Sequence, residues 1–154
     1  MMITLIMLAV ALFVAGNILL IFYVIKKIGR GRSAEIMSKF EGREVLFTSR
    51  GAQYFGRKSS GLMQIRGNGD LIITPEEVYF EMWFPKRVFR TPLSSLIAVE
   101  TPRFFNGRSV FMPLLKLTFH SETGGEDAVG WYVKDLEKAI AVLRPHVTTD
   151  HRST

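Results

Sequence analysis

Gly69-Asp70-Leu71-Ile72-Ile73-Thr74-Pro75-Glu76-Glu77-Val78-Tyr79-Phe80 is the stretch that decides the fold. Two β-rich runs, 71–74 and 78–83, flank a Pro-Glu-Glu step in which proline fixes φ for a turn and two acids keep it solvated, so the spacing predicts a β-hairpin. On its N-terminal side, 62–66 is expected to lead through a turn at 67–70 into this hairpin. On its C-terminal side, Phe84-Pro85-Lys86 turns the chain into 87–91, whose polar–apolar alternation suits a strand with one wet face.

The same reading extends outward in both directions. Upstream, 44–48 is β-rich, Ser49-Arg50-Gly51 breaks it, and 53–55 resumes before a loop at 56–61. Downstream, a short turn at 92–96 precedes a strand at 97–100. Residues 115–119 alternate, 122–126 turn and 128–133 return. The period then becomes helical: Leu136, Ile140 and Leu143 form one stripe, with Asp135 near its start and Pro145 as a stop. Roughly seven strands thus precede a single closing helix.

This order, with GDLIITPEEVYF at 69–80, TPLSSLIAVE at 91–100, LKLTF at 115–119 and the final helix, resembles the pleckstrin-homology-like (PH-like) superfamily, particularly GRAM-type and bacterial PH-like domains. The resemblance covers residues 42–145. It implies an open barrel of about seven antiparallel strands plugged by the C-terminal helix. Trp131 stands on a strand rather than within that helix.

Ahead of the β-region lies a stretch of another kind. Residues 3–25 carry no charge, and as a helix they would be about 34 Å long, enough for a hydrocarbon core of about 30 Å. Leu, Ile, Val and Phe dominate it, and Asn17 alone does not outweigh their insertion energy. A cleaved signal would have a shorter core and a small-residue cleavage site, whereas this one ends in Val24-Ile25-Lys26-Lys27. A buried helix apolar all round would need a far larger protein to cover it. The expectation is therefore a transmembrane helix over 1–25. Lys26, Lys27, Arg30 and Arg32 follow at once, which by the positive-inside tendency places the N-terminus outside and the C-terminal domain in the cytoplasm, at a plasma or inner cell membrane.

The chain has 154 residues with 20 basic and 14 acidic side chains, and setting aside the four juxtamembrane cations leaves 16 against 14. The basicity is thus a membrane-surface device, and no nucleic-acid partner is expected. Gly29 and Gly31 read as a flexible exit from the membrane. Residues 33–41, with Ser33 as N-cap and Ile36, Met37 and Phe40 apolar, form a short amphipathic helix, lying on the membrane or packing onto the domain. The organisation expected is a span at 1–25, a basic linker with that helix at 26–42, a PH-like domain at 43–145 and a polar tail at 146–154. Ala11 and Ala15, beside Gly16 and Asn17, have the spacing of a helix-dimer contact, so a homodimer through the span is a candidate.

Catalysis finds little support. There is no cysteine, His120, His146 and His151 are scattered, and the acid pairs Glu76-Glu77 and Glu126-Asp127 sit in turns, so neither an enzyme nor a metal or other cofactor is expected. Binding is better represented. Arg50, Arg57, Lys58 and Arg66 lie close in sequence without an intervening acid, and the PH resemblance implies that basic side chains of the first hairpin loop grip phosphates, making these four the lipid-headgroup candidates. Phe84, Lys86 and Arg87, together with Phe104, Phe105 and Phe111, mix aromatics with cations and are the partner-binding candidates; a protein or the membrane interface could cover them. The expected function is a single-pass, membrane-anchored binding or scaffolding module in a membrane-associated assembly, with recognition of anionic lipid headgroups as the alternative.

Overall fold

The computed structural model describes residues 2–148, and the expected tail beyond Thr148, including His151, lies outside them. One helix, α1, runs unbroken from Met2 to Ser38. Strands β1 (Phe47–Arg57), β2 (Gly67–Ile73), β3 (Glu77–Met82), β4 (Arg87–Pro92), β5 (Leu96–Glu100), β8 (Leu115–His120) and β9 (Glu126–Tyr132) make one antiparallel sheet in the order β4-β3-β2-β1-β9-β8-β5. A two-stranded hairpin, β6 (Phe104–Phe105) and β7 (Arg108–Ser109), stands apart from it. Helix α2 (Leu136–Leu143) closes the domain.

The central hairpin forms as its sequence predicts, with Leu71 opposite Phe80 and Ile73 opposite Val78. The turn is held by Thr74, whose Oγ1 accepts from the backbone N–H groups of Glu76 and Glu77 at 3.3 and 3.2 Å. One expectation is corrected here: residues 67–70 are not a turn but the start of β2, where Gly69 lies so close to β3 that an added Cβ would stand 2.2 Å from the Glu81 carbonyl oxygen. Glycine is what lets the two backbones meet.

Strand β1 joins the two halves of the sheet. It pairs with β2 along its N-terminal half and with β9 from Gln53 onward, and its register shifts between Arg50 and Ala52 and again between Tyr54 and Gly56. Each extra residue bends and twists the strand. The sheet consequently curls until Phe89 on β4 meets Phe119 on β8, ring centroids 5.5 Å apart. Trp131, fully buried, stands at the centre of this core against Phe80 and Phe89. Ala139, Ile140 and Leu143 of α2 complete it.

Of the linker with a short helix expected at 26–42, residues 26–38 continue α1 and 39–42 form a turn. α1 passes the last apolar residue without a break, Gly29 and Gly31 are both helical, and Ser33 is a mid-helix residue rather than a cap. Of the two readings of Ile36 and Phe40, packing onto the domain is the one found. Both are buried with Ile72 and Tyr79 on the outer face of the β2–β3 hairpin, and the rings of Phe40 and Tyr79 meet edge-on at 5.0 Å. Both faces of that hairpin are therefore covered, one by the core and one by α1.

Candidate functional site

Two surfaces can be built from these elements. The first lies where α1 leaves its apolar stretch and meets the sheet. Trp83, directly after β3, lays its indole between Gly29 of α1 and Gly51 of the β1 bulge: an added Cβ would come within 2.8 Å of Trp83 Cζ3 at Gly29 and within 3.4 Å of Cη2 at Gly51. Gly51 has φ +72°, a left-handed conformation that glycine adopts without strain, and its N–H donates to buried Asp70 Oδ1 at 3.2 Å. The two glycines thus form the slot that holds the ring.

Below that slot an ionic cluster fixes the helix. Glu81, its side chain wholly buried, accepts from Lys39 Nζ at 2.6 Å and from the Tyr79 hydroxyl, while Arg32 and Lys86 approach at 3.5 and 3.6 Å. Burial acts to raise the Glu81 pKa, but the hydrogen bonds from Lys39 and Tyr79 and the nearby cations outweigh it and hold the carboxyl below its ordinary value. Burial, and then the bond to Glu81, push the Tyr79 phenol upward. Arg32, expected at the membrane surface, is thus engaged in docking α1, and Lys86, a partner-binding candidate, shares the same acid.

Beside Trp83 a groove of about 890 Å³ opens between α1, β1 and the segment after β9. Phe22, Tyr23 and Ile25 line one end, and Lys26, Arg30, Arg50 and Lys134 surround the other. Among the described residues none of these four cations has an acidic partner, whereas Arg32, Lys39, Arg43, Arg57, Lys86, Arg90 and Lys116 all do.

The four lipid-headgroup candidates are separated. Arg50 faces the groove at α1. Arg57, toward the other end of β1, donates to Asp127 and lies over the rings of Phe89 and Phe119 at 5.9 and 5.4 Å. Arg66 donates to the Phe55 carbonyl at 3.0 Å, and Lys58 is exposed. Asp127, although burial works the other way, is held below the usual carboxylate range by bonds from Ser59, Arg57 and two backbone N–H groups. Arg57 is therefore occupied by structure, while a cavity of about 460 Å³ beside it is lined by Gln64, Met82, Arg87 and Phe89.

The second surface is apolar and lies on the β1–β2 loop and the β6–β7 hairpin. The two touch, since a Cβ on Gly107 would stand 3.1 Å from Leu62 Cδ2 and Asn106 donates to the Arg57 carbonyl at 3.3 Å. Leu62 and Met63 of the loop and Phe104 of β6 are exposed, as are Phe111 and Met112 in the segment after β7, beside Phe55 and Tyr132. One candidate is corrected: Phe105 is 7% exposed, against 64% for Phe104, and packs with Leu114 and Ala128 over Gly130. Phe105 pins the hairpin to the sheet. Met63 and Leu62 went unnoticed in the sequence, where the pattern Leu-Met-x-Ile resembled the start of a strand. Phe84, fully outside the core, belongs instead to the α1 side, beside Ile25 and Ile28.

Among the described residues no three His, Asp or Glu side chains are placed to share a metal ion. Glu76 and Glu77 instead pair with Arg43, and Glu77 also with Arg90. In the apolar stretch of α1, Asn17 donates to the Phe13 carbonyl of its own helix at 2.8 Å.

No family model matches the chain, and no curated protein sequence does. Among solved structures it is similar to the C-terminal domain of an unknown protein from Leishmania infantum, at TM-score 0.49 and 11% identity, over 79% of this chain and 96% of that one. What stands is a class: a chain with one N-terminal helix long and apolar enough to cross a membrane, joined to a curled seven-stranded antiparallel domain with a short closing helix.

Proposed function

We infer that the chain is a single-pass membrane protein whose PH-like domain is a binding or scaffolding module, held on the cytoplasmic side of a plasma or inner membrane within a larger assembly. The apolar stretch supports the span, because it lies wholly outside the folded core and leads directly into the docked last third of α1. The basic residues that follow support the orientation. In this reading the domain works by contact rather than by catalysis.

The observation that carries the scaffolding role is the exposure of five large apolar side chains on two loops that touch each other, Leu62 and Met63 after β1 and Phe104, Phe111 and Met112 in and after the β6–β7 hairpin, on a domain whose core is already complete. A cluster of exposed large apolar side chains suits a protein contact. A photo-crosslinker placed at Phe111 in intact cells tests it: one or a few partners should be captured, and Phe104→Ser with Met63→Ser should abolish that capture. An unchanged set of crosslinked proteins in the folded double variant would overturn the reading. The alternative, recognition of anionic lipid headgroups, is favoured by a different observation, the unpaired cations around the groove at α1.

A further inference from the structure

The groove beside Trp83 combines three features, and together they specify what it would hold. Its charge is of one sign: Lys26 and Arg30 come from α1, Arg50 from β1 and Lys134 from the segment after β9, with no acid in the lining. Cations brought together from three elements raise the local positive potential, and an anion among them would be attracted there. Two residues that line it also carry buried hydrogen-bond donors without partners among the described residues. Ser33, 6% exposed, has an unsatisfied hydroxyl, and the Trp83 indole Nε1 is buried and unbonded. A buried donor with no acceptor costs free energy that a bound oxygen would recover. The third feature is polarity along its length, for Phe22, Tyr23 and Ile25 continue it into the uncharged half of α1.

We propose that this groove binds one anionic glycerophospholipid, with its phosphate among Arg30, Arg50 and Lys134, the Ser33 hydroxyl and Trp83 N–H donating to phosphate or ester oxygens, and the acyl chains running along Phe22 and Ile25. Guanidinium groups suit the phosphate because they donate in a planar fork. The occupant is a lipid rather than a free phosphate because the apolar end of the groove is continuous with the span. The site is also distinct from the β1–β2 loop, where Arg57 is committed to Asp127. It rests on the reading of α1 as a membrane span, which places the groove at headgroup depth.

The full chain reconstituted in phosphatidylcholine nanodiscs, with and without phosphatidylglycerol, and released into a native mass spectrometer tests this. The wild type should retain one phosphatidylglycerol per chain in preference to phosphatidylcholine. Arg50→Glu with Lys134→Glu, two exposed positions without an acidic partner among the described residues, should lower that occupancy at least about tenfold, since each cation near an anionic surface contributes roughly fivefold. Ser33→Ala, which leaves the charge unchanged, should weaken retention less. Equal retention of the two lipids, or full retention by the charge-reversed protein, would overturn the site. Displacement of the lipid by millimolar inorganic phosphate would overturn it as well, showing an ion site instead. Alkaline carbonate extraction separates the two inferences: release of the wild-type chain from membranes overturns the span and the groove together, while a chain that stays embedded but shows no lipid preference overturns the groove alone.

Discussion

Gly29 and Gly31 look alike in the sequence, two glycines among basic residues, yet they differ in what surrounds them. Trp83 occupies the space over Gly29, while nothing lies within 4 Å of a Cβ added to Gly31. Alanine raises helix propensity by up to about 1 kcal/mol at either position. Gly31→Ala should therefore stabilise α1, whereas Gly29→Ala should lower the unfolding free energy by about 1–3 kcal/mol because the ring must move; denaturant titration of both variants followed by indole emission checks the contrast. The neighbouring phenylalanines make a similar pair. Phe105→Ala should cost about 3–5 kcal/mol and Phe104→Ala less than about 0.5 kcal/mol. Thermal unfolding distinguishes them. Neither difference was legible beforehand, because Gly29 meets a residue far along the chain and the alternation of Phe104 and Phe105 is too short to assign a face.

At the level of elements, the attachment of α1 to the β2–β3 hairpin is part apolar and part ionic. The hairpin itself could be read from 69–80, and the helical stripe of α2 from Leu136, Ile140 and Leu143, because each pattern is local and complete within one element. The docking of α1 was only half visible. Ile36 and Phe40 announced an apolar face, but the buried Glu81 that fixes it reads in sequence as one polar residue in a strand. Its ionisation gives a prediction. Glu81 and Asp127 both have carboxyl pKa values depressed in the folded protein, so the stabilisation they supply is full above the unfolded carboxylate range, near pH 4, and is lost as pH falls through their folded values. Unfolding free energy should decline as the pH is lowered from about 5 to about 3. Glu81→Gln with Asp127→Asn should lower the stability at pH 7 and flatten that decline, as measured by urea unfolding at each pH.

On the scale of the whole molecule, one sheet serves as both walls of the core because β1 belongs to both halves. The number of strands in this sheet agreed with the sequence, but the pairing of β1 with β9 did not announce itself: Gln53 lies opposite Tyr132 at a separation that no local pattern encodes. Trp131 ties the walls together through Tyr54, Phe80 and Phe89. Trp131→Ala should cost about 3–5 kcal/mol and weaken both halves in one transition. Near-UV circular dichroism and backbone hydrogen exchange would then decay together, and a β2–β3–β4 unit that kept its protection would disprove the coupling.

The unbroken α1 has a mechanical meaning. Its 37 residues form a rod of roughly 55 Å, of which the last third is clamped to the domain by Trp83, Ile36, Phe40 and Glu81. A domain on a soft tether would tumble at the surface regardless of what the bilayer does. Here any lean of the rod becomes a lean of the domain, and under the proposed membrane span a thinner bilayer that tilts the helix by about 20° would swing a point about 30 Å away through roughly 10 Å. If α1 spans a bilayer as proposed, the clamp makes the β-domain a pointer whose bearing follows the tilt of the helix, and exposed Phe104 and Phe111 move with it.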